Sequence, residues 1–231
     1  MKNYIIGIGG TGAKCLEHLL HCCSAGLGPE NLWAGMVDQD EANGNVSRTK
    51  ILLNKYTNLR NNLRNESKHD LASKSNLFKT HISSNTDAVW LPMKDANPTL
   101  EDLIKYNLLK PEVKGLMDCL YDPEELKLNL SEGFRARPNI GAAAILSTTA
   151  NEDDIFWSQI YKAIDAARGG EEVRVFIISS IFGGTGASGF PNIARRIRQI
   201  QKDKNVSSNF HLGGALMLPY FNYEVPDENM E

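Results

Sequence analysis

The sequence predicts an α/β fold: an open, mostly parallel sheet with helices on both faces. Two observations predict it. First, one five-residue phrase occurs twice, Gly9-Gly10-Thr11-Gly12-Ala13 and Gly183-Gly184-Thr185-Gly186-Ala187, each time after an apolar run and before a helical pattern. Second, residues 4–8 are continuously apolar rather than alternating, residues 32–37 are a second short apolar run, and residues 173–181 are β-branched and too apolar to face water on either side, which marks strands covered on both faces, as in parallel sheets. With 231 residues, 42% hydrophobic and 23% charged, the chain fits one large domain, or one domain carrying a sizeable insertion. A net charge of −3 gives no reason to expect nucleic acid as a partner.

The elements follow in order. Residues 4–8 read as a buried strand. Lys14 to Cys23 reads as a helix, with Cys15, Leu16, Leu19, Leu20 and Cys23 at helical spacing. Residues 32–37 form a second short strand ending at Asp38-Gln39-Asp40, so strand, glycine turn, helix, strand and acid give the βαβ order of a Rossmann-like sheet. From 41 to about 79 the pattern weakens into Asn, Ser and Lys. Ile51, Leu52, Leu53, Tyr56, Leu59 and Leu63 still place one amphipathic helix there, and its lysines and arginines read as a solvated face. Residues 99–130 are expected to be helical, with Pro123 opening a short helix. Residues 133–149 are a turn-rich loop feeding a small-residue helix, and residues 155–167 form a helix ending at Gly169-Gly170.

Residues 173–181 read as the clearest strand, too apolar to face water on either side. Residues 190–200 read as a helix with Arg195, Arg196 and Arg198 on its wet face, and residues 210–218 as a further buried strand. Cys15, Cys22, Cys23 and Cys119 show no CxxC spacing. They are expected to be reduced, mostly buried thiols of a cytoplasmic protein. His18, His21 and Cys22 share a helix surface, but the glycine turn before them explains that helix without a metal. The glycine-broken N-terminus is neither a signal peptide nor a membrane span.

The chemistry lies in the repeated phrase. A strand that breaks at glycines and restarts as a helix leaves backbone N–H groups unpaired and pointing one way, at the positive end of the helix dipole. Such an end suits phosphate oxygens. Gly7-Ile8-Gly9-Gly10-Thr11-Gly12 satisfies GxGxxG with Asp38 closing the next strand, a passable dinucleotide fingerprint with Asp38 as ribose acceptor. That alternative, an NAD(P)-dependent oxidoreductase, leaves the second phrase unexplained. Neither phrase is a Walker A loop: Lys14 comes one place too late, and the second has no lysine. Two phosphate loops in one chain point to one polyphosphate held by both.

Here the sequence resembles the tubulin/FtsZ superfamily, specifically its divergent bacterial tubulin-like members. Residues 6–12 look like the first phosphate loop. Val37-Asp38-Gln39-Asp40 resembles the end of the second strand, where Asp40 is expected near the terminal phosphate and its magnesium and Asp38 takes the position of an asparagine. Arg137-Pro138-Asn139-Ile140-Gly141 resembles the loop that senses the γ-phosphate. Gly183-Gly184-Thr185-Gly186-Ala187-Ser188-Gly189 is similar to the signature GGGTG[ST]G, departing from it at Phe182 and at Ala187-Ser188. Leu218-Pro219-Tyr220-Phe221-Asn222-Tyr223-Glu224 looks like the segment that offers a ribose-contacting glutamate, here Glu224.

The resemblance implies GTP or GDP binding with Mg²⁺. The implied contacts are Gly9, Gly10, Thr11, Gly12, Lys14, Asp38, Asp40, Pro138, Asn139, Gly141, Gly183, Gly184, Thr185, Gly186, Ala187, Ser188 and Glu224, with Asp40 as metal ligand. Residues 41–133 are expected to be a largely helical insertion that serves self-association or a protein partner. The family's C-terminal activation domain is not visible in the chain, so GTP hydrolysis is expected to be weak unless a neighbouring subunit completes the site. A third reading is an interaction scaffold whose loops have lost the ligand.

Overall fold

β1 (Lys2–Ile8) lies at the middle of a six-stranded parallel sheet and pairs with β2 (Asn31–Val37) on one side and β5 (Val173–Ser180) on the other. The computed structural model describes residues 1–40, 42–65, 76–84, 88–93, 98–131, 133–148 and 150–219. β2 pairs at its start with β3 (His81–Ile82) and at its end with β4 (Val89–Trp90), while β6 (Phe210–Met217) pairs with β5 and closes the other edge. The order β3-β2-β1-β5-β6 reverses direction between β1 and β5. Ligands of open α/β sheets bind at such a switch point, beyond the carboxyl ends of the strands.

Alternating side chains sort the core into two layers. Ile6, Ile8, Trp33, Val37, Val175 and Ile177 face three helices: α6 (Pro138–Ser147), α7 (Ile155–Arg168) and α8 (Gly184–Asp203). Ile5, Leu32, Ala34 and Met36 face α1 (Gly9–Ser24) and α2 (Gly44–Asn65), through Leu16, Leu20, Leu53 and Tyr56. The expected Rossmann-like architecture with helices on both faces is what the chain adopts. Trp33, Trp90, Phe156 and Trp157 form an aromatic group under β4, with Trp90 and Trp157 edge to face at 5.2 Å. Such pairs add about 0.5–1.5 kcal/mol beyond their area.

Several expectations need correction. β5 is not covered on both faces: Arg174 is exposed and Phe176 is 40% exposed, because beyond β1 the sheet outruns α1. Among the described residues β6 is an edge strand, with His211, Gly213, Gly214 and Leu216 exposed and the Phe190 ring against Gly214. Arg196 is not on the wet face. It donates to the carbonyls of Ile145 and Thr148 at the end of α6 and lies 5.6 Å from the Trp157 ring, which ties α6 to α8. Of the cysteines, only Cys23 is buried; Cys22 and Cys119 are exposed.

The stretch 41–133 holds more than helix. Besides α2 it contains α3 (Leu100–Leu103), a 3₁₀ turn (Tyr106–Leu108), α4 (Pro111–Leu120) and α5 (Pro123–Leu126), but also β3 and β4, which join the main sheet. α4 buries none of its residues and leaves Leu116 and Leu120 exposed.

Where α1 crosses β1, two glycines make the approach possible. A Cβ on Gly12 would lie 2.6 Å from the Gly7 carbonyl carbon and 2.7 Å from the Ile178 oxygen, both rigid backbone. A Cβ on Gly10 would meet only the amide tips of Asn43 and Asn45, at 3.0 and 3.1 Å. Gly12→Ala is therefore expected to cost roughly 1–3 kcal/mol or more in chemical denaturation. Gly10→Ala should stay within about 1 kcal/mol of wild type.

Candidate functional site

The two glycine phrases sit side by side because β1 and β5 are neighbours in register, with Gly7 opposite Ile178. α1 starts directly at Gly9, which holds φ +70°, and α8 starts after Gly183 at φ +89°, a conformation open to glycine. Neither helix has a side-chain cap, and neither has an acidic residue in its first turn. Two helix starts thus present unpaired N–H groups at one end of the sheet, α1 from one face and α8 from the other. They touch: a Cβ on Gly9 would stand 3.2 Å from the Gly186 nitrogen and 3.7 Å from the Thr185 Cβ.

Between them opens a cleft of about 310 Å³. Its walls are Gly9, Gly10 and Thr11 of the first phrase and Gly183, Gly184, Thr185 and Gly186 of the second, with Ser180 and Phe182 leading in. Asp38 lies in the floor, Asp40, Asn43 and Asn45 form one rim, and Gly133, Phe134 and Arg135 another. The rims meet where Gly133 approaches the Asp40 Cβ, 3.4 Å from its own would-be Cβ.

Asp38 is buried in the floor, 3% exposed, with both carboxylate oxygens engaged. The Asp40 amide (3.2 Å) and the Thr185 hydroxyl (3.3 Å) donate to Oδ1, and the Asn43 side-chain amide (3.2 Å) donates to Oδ2. Burial pushes its pKa up to about 6 against the opposing pull of these hydrogen bonds. A carboxylate so engaged braces the end of β2 against the second phrase. Asp40 is half-buried, and its Oδ1 accepts from the Ala42 amide at 3.0 Å.

With this geometry in hand, a sequence profile of the family described as tubulin like matches residues 4–231. The chain belongs to the tubulin-like family. No curated protein and no solved structure matches it.

The tubulin-like chain thus brings together Gly9, Gly10, Thr11, Asp38, Asp40, Gly183, Gly184, Thr185 and Gly186. It places the other expected contacts elsewhere. Gly12 and Gly141 are packing positions: Gly12 lies against β1, and Gly141 lies against Ser188 and Phe134. Ser188 is buried and donates its hydroxyl to the Gly184 carbonyl at 2.6 Å, while Ala187 stays outside the cleft lining. Lys14 is exposed on α1, and Pro138 and Asn139 are exposed at the start of α6; none of them lines the cleft. Glu224 lies outside the described residues.

Asn43, Asn45, Phe134, Arg135 and Ser180 were not anticipated. The signals were faint: an Asn-Gly-Asn run soon after the Asp38-Gln39-Asp40 end of β2, and a Gly-Phe-Arg run just before the third motif. Among the described residues no group of three or more His, Cys, Asp or Glu could cage a metal. Mg²⁺ held by one carboxylate and phosphate oxygens needs no such cage, so Asp40 on the rim suits it. No described helix is long and apolar enough to cross a membrane.

The raised pKa of Asp38 has a signed consequence for stability. A carboxyl titrating near 6 when folded and near 3.8 when unfolded stabilises the fold at low pH, and that contribution is lost as pH rises through 6. Asp38→Asn removes the titration. Its stability relative to wild type should therefore rise by about 2 kcal/mol between pH 4.5 and 7.5 in metal-free, nucleotide-free denaturation curves. A gap independent of pH would contradict the assignment of a raised pKa.

Proposed function

We propose that the cleft binds a guanine nucleotide, GTP or GDP, with Mg²⁺, as a tubulin/FtsZ-type nucleotide module. The observation that carries this reading is the meeting of the two glycine phrases: two uncapped helix starts face one cleft whose rim supplies a carboxylate for a metal. Backbone amides of both phrases would hold the phosphates, Thr11 and Thr185 would add hydroxyls, and Asp40 would place the ion. Bound Mg²⁺ would bridge phosphate oxygens and offset their charge. Each charge-assisted hydrogen bond to phosphate contributes on the order of 1.5–3 kcal/mol. Several converging ones support micromolar affinity, about 8 kcal/mol, after the costs of association. Guanine over adenine rests on the family alone.

A titration of GTP, GDP, ATP and NAD, with and without Mg²⁺, tests the reading. Thr11→Glu sharpens it, because a carboxylate in the first turn of α1 suits the dipole and leaves the fold intact while occupying the place of phosphate. GTP affinity is expected to fall at least tenfold in this variant, with melting temperature unchanged or higher. Equal GTP binding by Thr11→Glu and wild type, or tighter binding of NAD than of GTP by wild type, would overturn the reading.

Hydrolysis is proposed to require a second protomer. Asp38 is committed to the floor and Asp40 to the metal, so the described wall of the cleft offers no third carboxylate to take a proton from water. GTP turnover per chain should accordingly rise with protein concentration. Brisk turnover independent of concentration would show a complete site within one chain.

A further inference from the structure

A second cavity, of about 380 Å³, opens at the amino ends of the strands, the opposite end of the sheet from the glycine phrases. β1 separates the two openings, and its 7 residues span roughly 20 Å. Strand register builds the cavity wall: Tyr4 stands beside Trp33 across β1 and β2, and Asn31 stands beside His81 across β2 and β3. All four line the cavity, as do Lys2 and Glu171, which are joined by a half-exposed salt bridge of 3.0 Å. A cavity of this size, with aromatic walls and a few polar groups, has the dimensions of a small-molecule site.

Two buried polar groups set it apart. Tyr4 is 8% exposed and Trp33 4% exposed, yet neither the Tyr4 hydroxyl nor the Trp33 indole N–H has a hydrogen-bond partner among the described residues. Buried donors are nearly always paired, so two unpaired ones side by side call for an acceptor. Nor are these atoms sealed in. Among the described residues, the side-chain atoms with neither a partner nor access to solvent are Arg60 Nε, Thr80 Oγ1 and Trp157 Nε1. The Tyr4 oxygen and the Trp33 nitrogen are not in that set, so both reach open space, and the cavity is the space that both residues line.

Packing holds the two donors in place. The Tyr4 and Trp33 rings lie 5.7 Å apart, and Trp33 is backed by Phe156 at 5.7 Å. Burial pushes the Tyr4 phenol above its ordinary pKa, so the hydroxyl keeps its proton at neutral pH. An indole N–H can only donate. The matching ligand therefore accepts hydrogen bonds, and the aromatic wall suits a flat apolar body.

We propose that this cavity is a second ligand site, taking a small aromatic molecule whose carboxylate or carboxamide accepts from Tyr4 and Trp33. No residue of either glycine phrase lines it, so the site stands apart from the nucleotide reading and does not rest on it.

The test is a titration of the full chain with benzoate, benzamide and toluene, followed through the tryptophan indole N–H signals in heteronuclear NMR spectra. Trp33→Phe identifies the Trp33 signal by its loss. That signal is expected to move with benzoate, benzamide or both while those of Trp90 and Trp157 stay, and the stronger of the two names the head group. Toluene, which accepts nothing, should bind about tenfold more weakly. Tyr4→Phe should weaken the stronger probe about tenfold. Because the hydroxyl it removes has no protein partner, its melting temperature should be unchanged or higher. No movement of the Trp33 signal at millimolar probe, equal binding of toluene, or a lower melting temperature in Tyr4→Phe overturns the proposal. Displacement of the probe by GTP overturns it too, whereas failure of the chain to bind GTP leaves this site standing and strikes only the nucleotide reading.

Discussion

The site depends on one constraint: two helices begin, without side-chain caps, on adjacent parallel strands at the point where the sheet reverses its winding. β1 and β5 are hydrogen-bonded neighbours, yet α1 leaves one to cover one face and α8 leaves the other to cover the opposite face. Their starts therefore converge while their bodies diverge. The N–H groups of both first turns need acceptors, and the chain supplies neither a capping side chain nor an acidic residue to either first turn. An anion is the acceptor that the arrangement fits best.

Close approach is the structural cost of that convergence, and small residues meet it. Gly12 lets α1 lie on β1, Gly141 lets α6 lie against Ser188, and Gly184 makes room for Phe134. Ser188 shows how such packing redirects chemistry. Its hydroxyl could serve a phosphate, but inside a helix it turns back to the Gly184 carbonyl, one turn earlier. The signature's hydroxyl that remains at the cleft is Thr185, and it is shared with Asp38. Glycine and serine in one motif thus divide between packing and binding in a way fixed by the helix, not by the motif.

This division explains how much was legible in the sequence. The strands at the centre of the sheet were, because continuous apolar runs flanked by glycines have few other uses. The glycine phrases were legible as strand-to-helix turns because a backbone that breaks at glycines leaves that mark in the sequence. β3 and β4, two residues each, are too short to carry a period. The exposure of β6 was hidden because Gly213 and Gly214 count neither as polar nor as packed. Arg196 was misplaced because spacing along α8 does not reveal that the carbonyls ending α6 lie within its reach. The Asn43 and Arg135 rims were missed for the same reason: their proximity to the glycine loops is created by the long return of the chain from β2, a tertiary fact with no local pattern.

That return has a mechanical implication. The stretch between Asp40 and Gly133 leaves the cleft rim and comes back to it, and its two roots touch. In between it adds β3 and β4 to the sheet, packs α2 on α1, and presents α4 with its apolar side chains to solvent. A ligand in the cleft would contact both roots at once, Asn43 and Asn45 on the outgoing side and Arg135 on the returning side. The returning root is the strained one, clamped through Phe134 to α6 and α8 and through Arg137 to Glu125 of α5. The returning root thus stands one ion pair from α5 of the same segment.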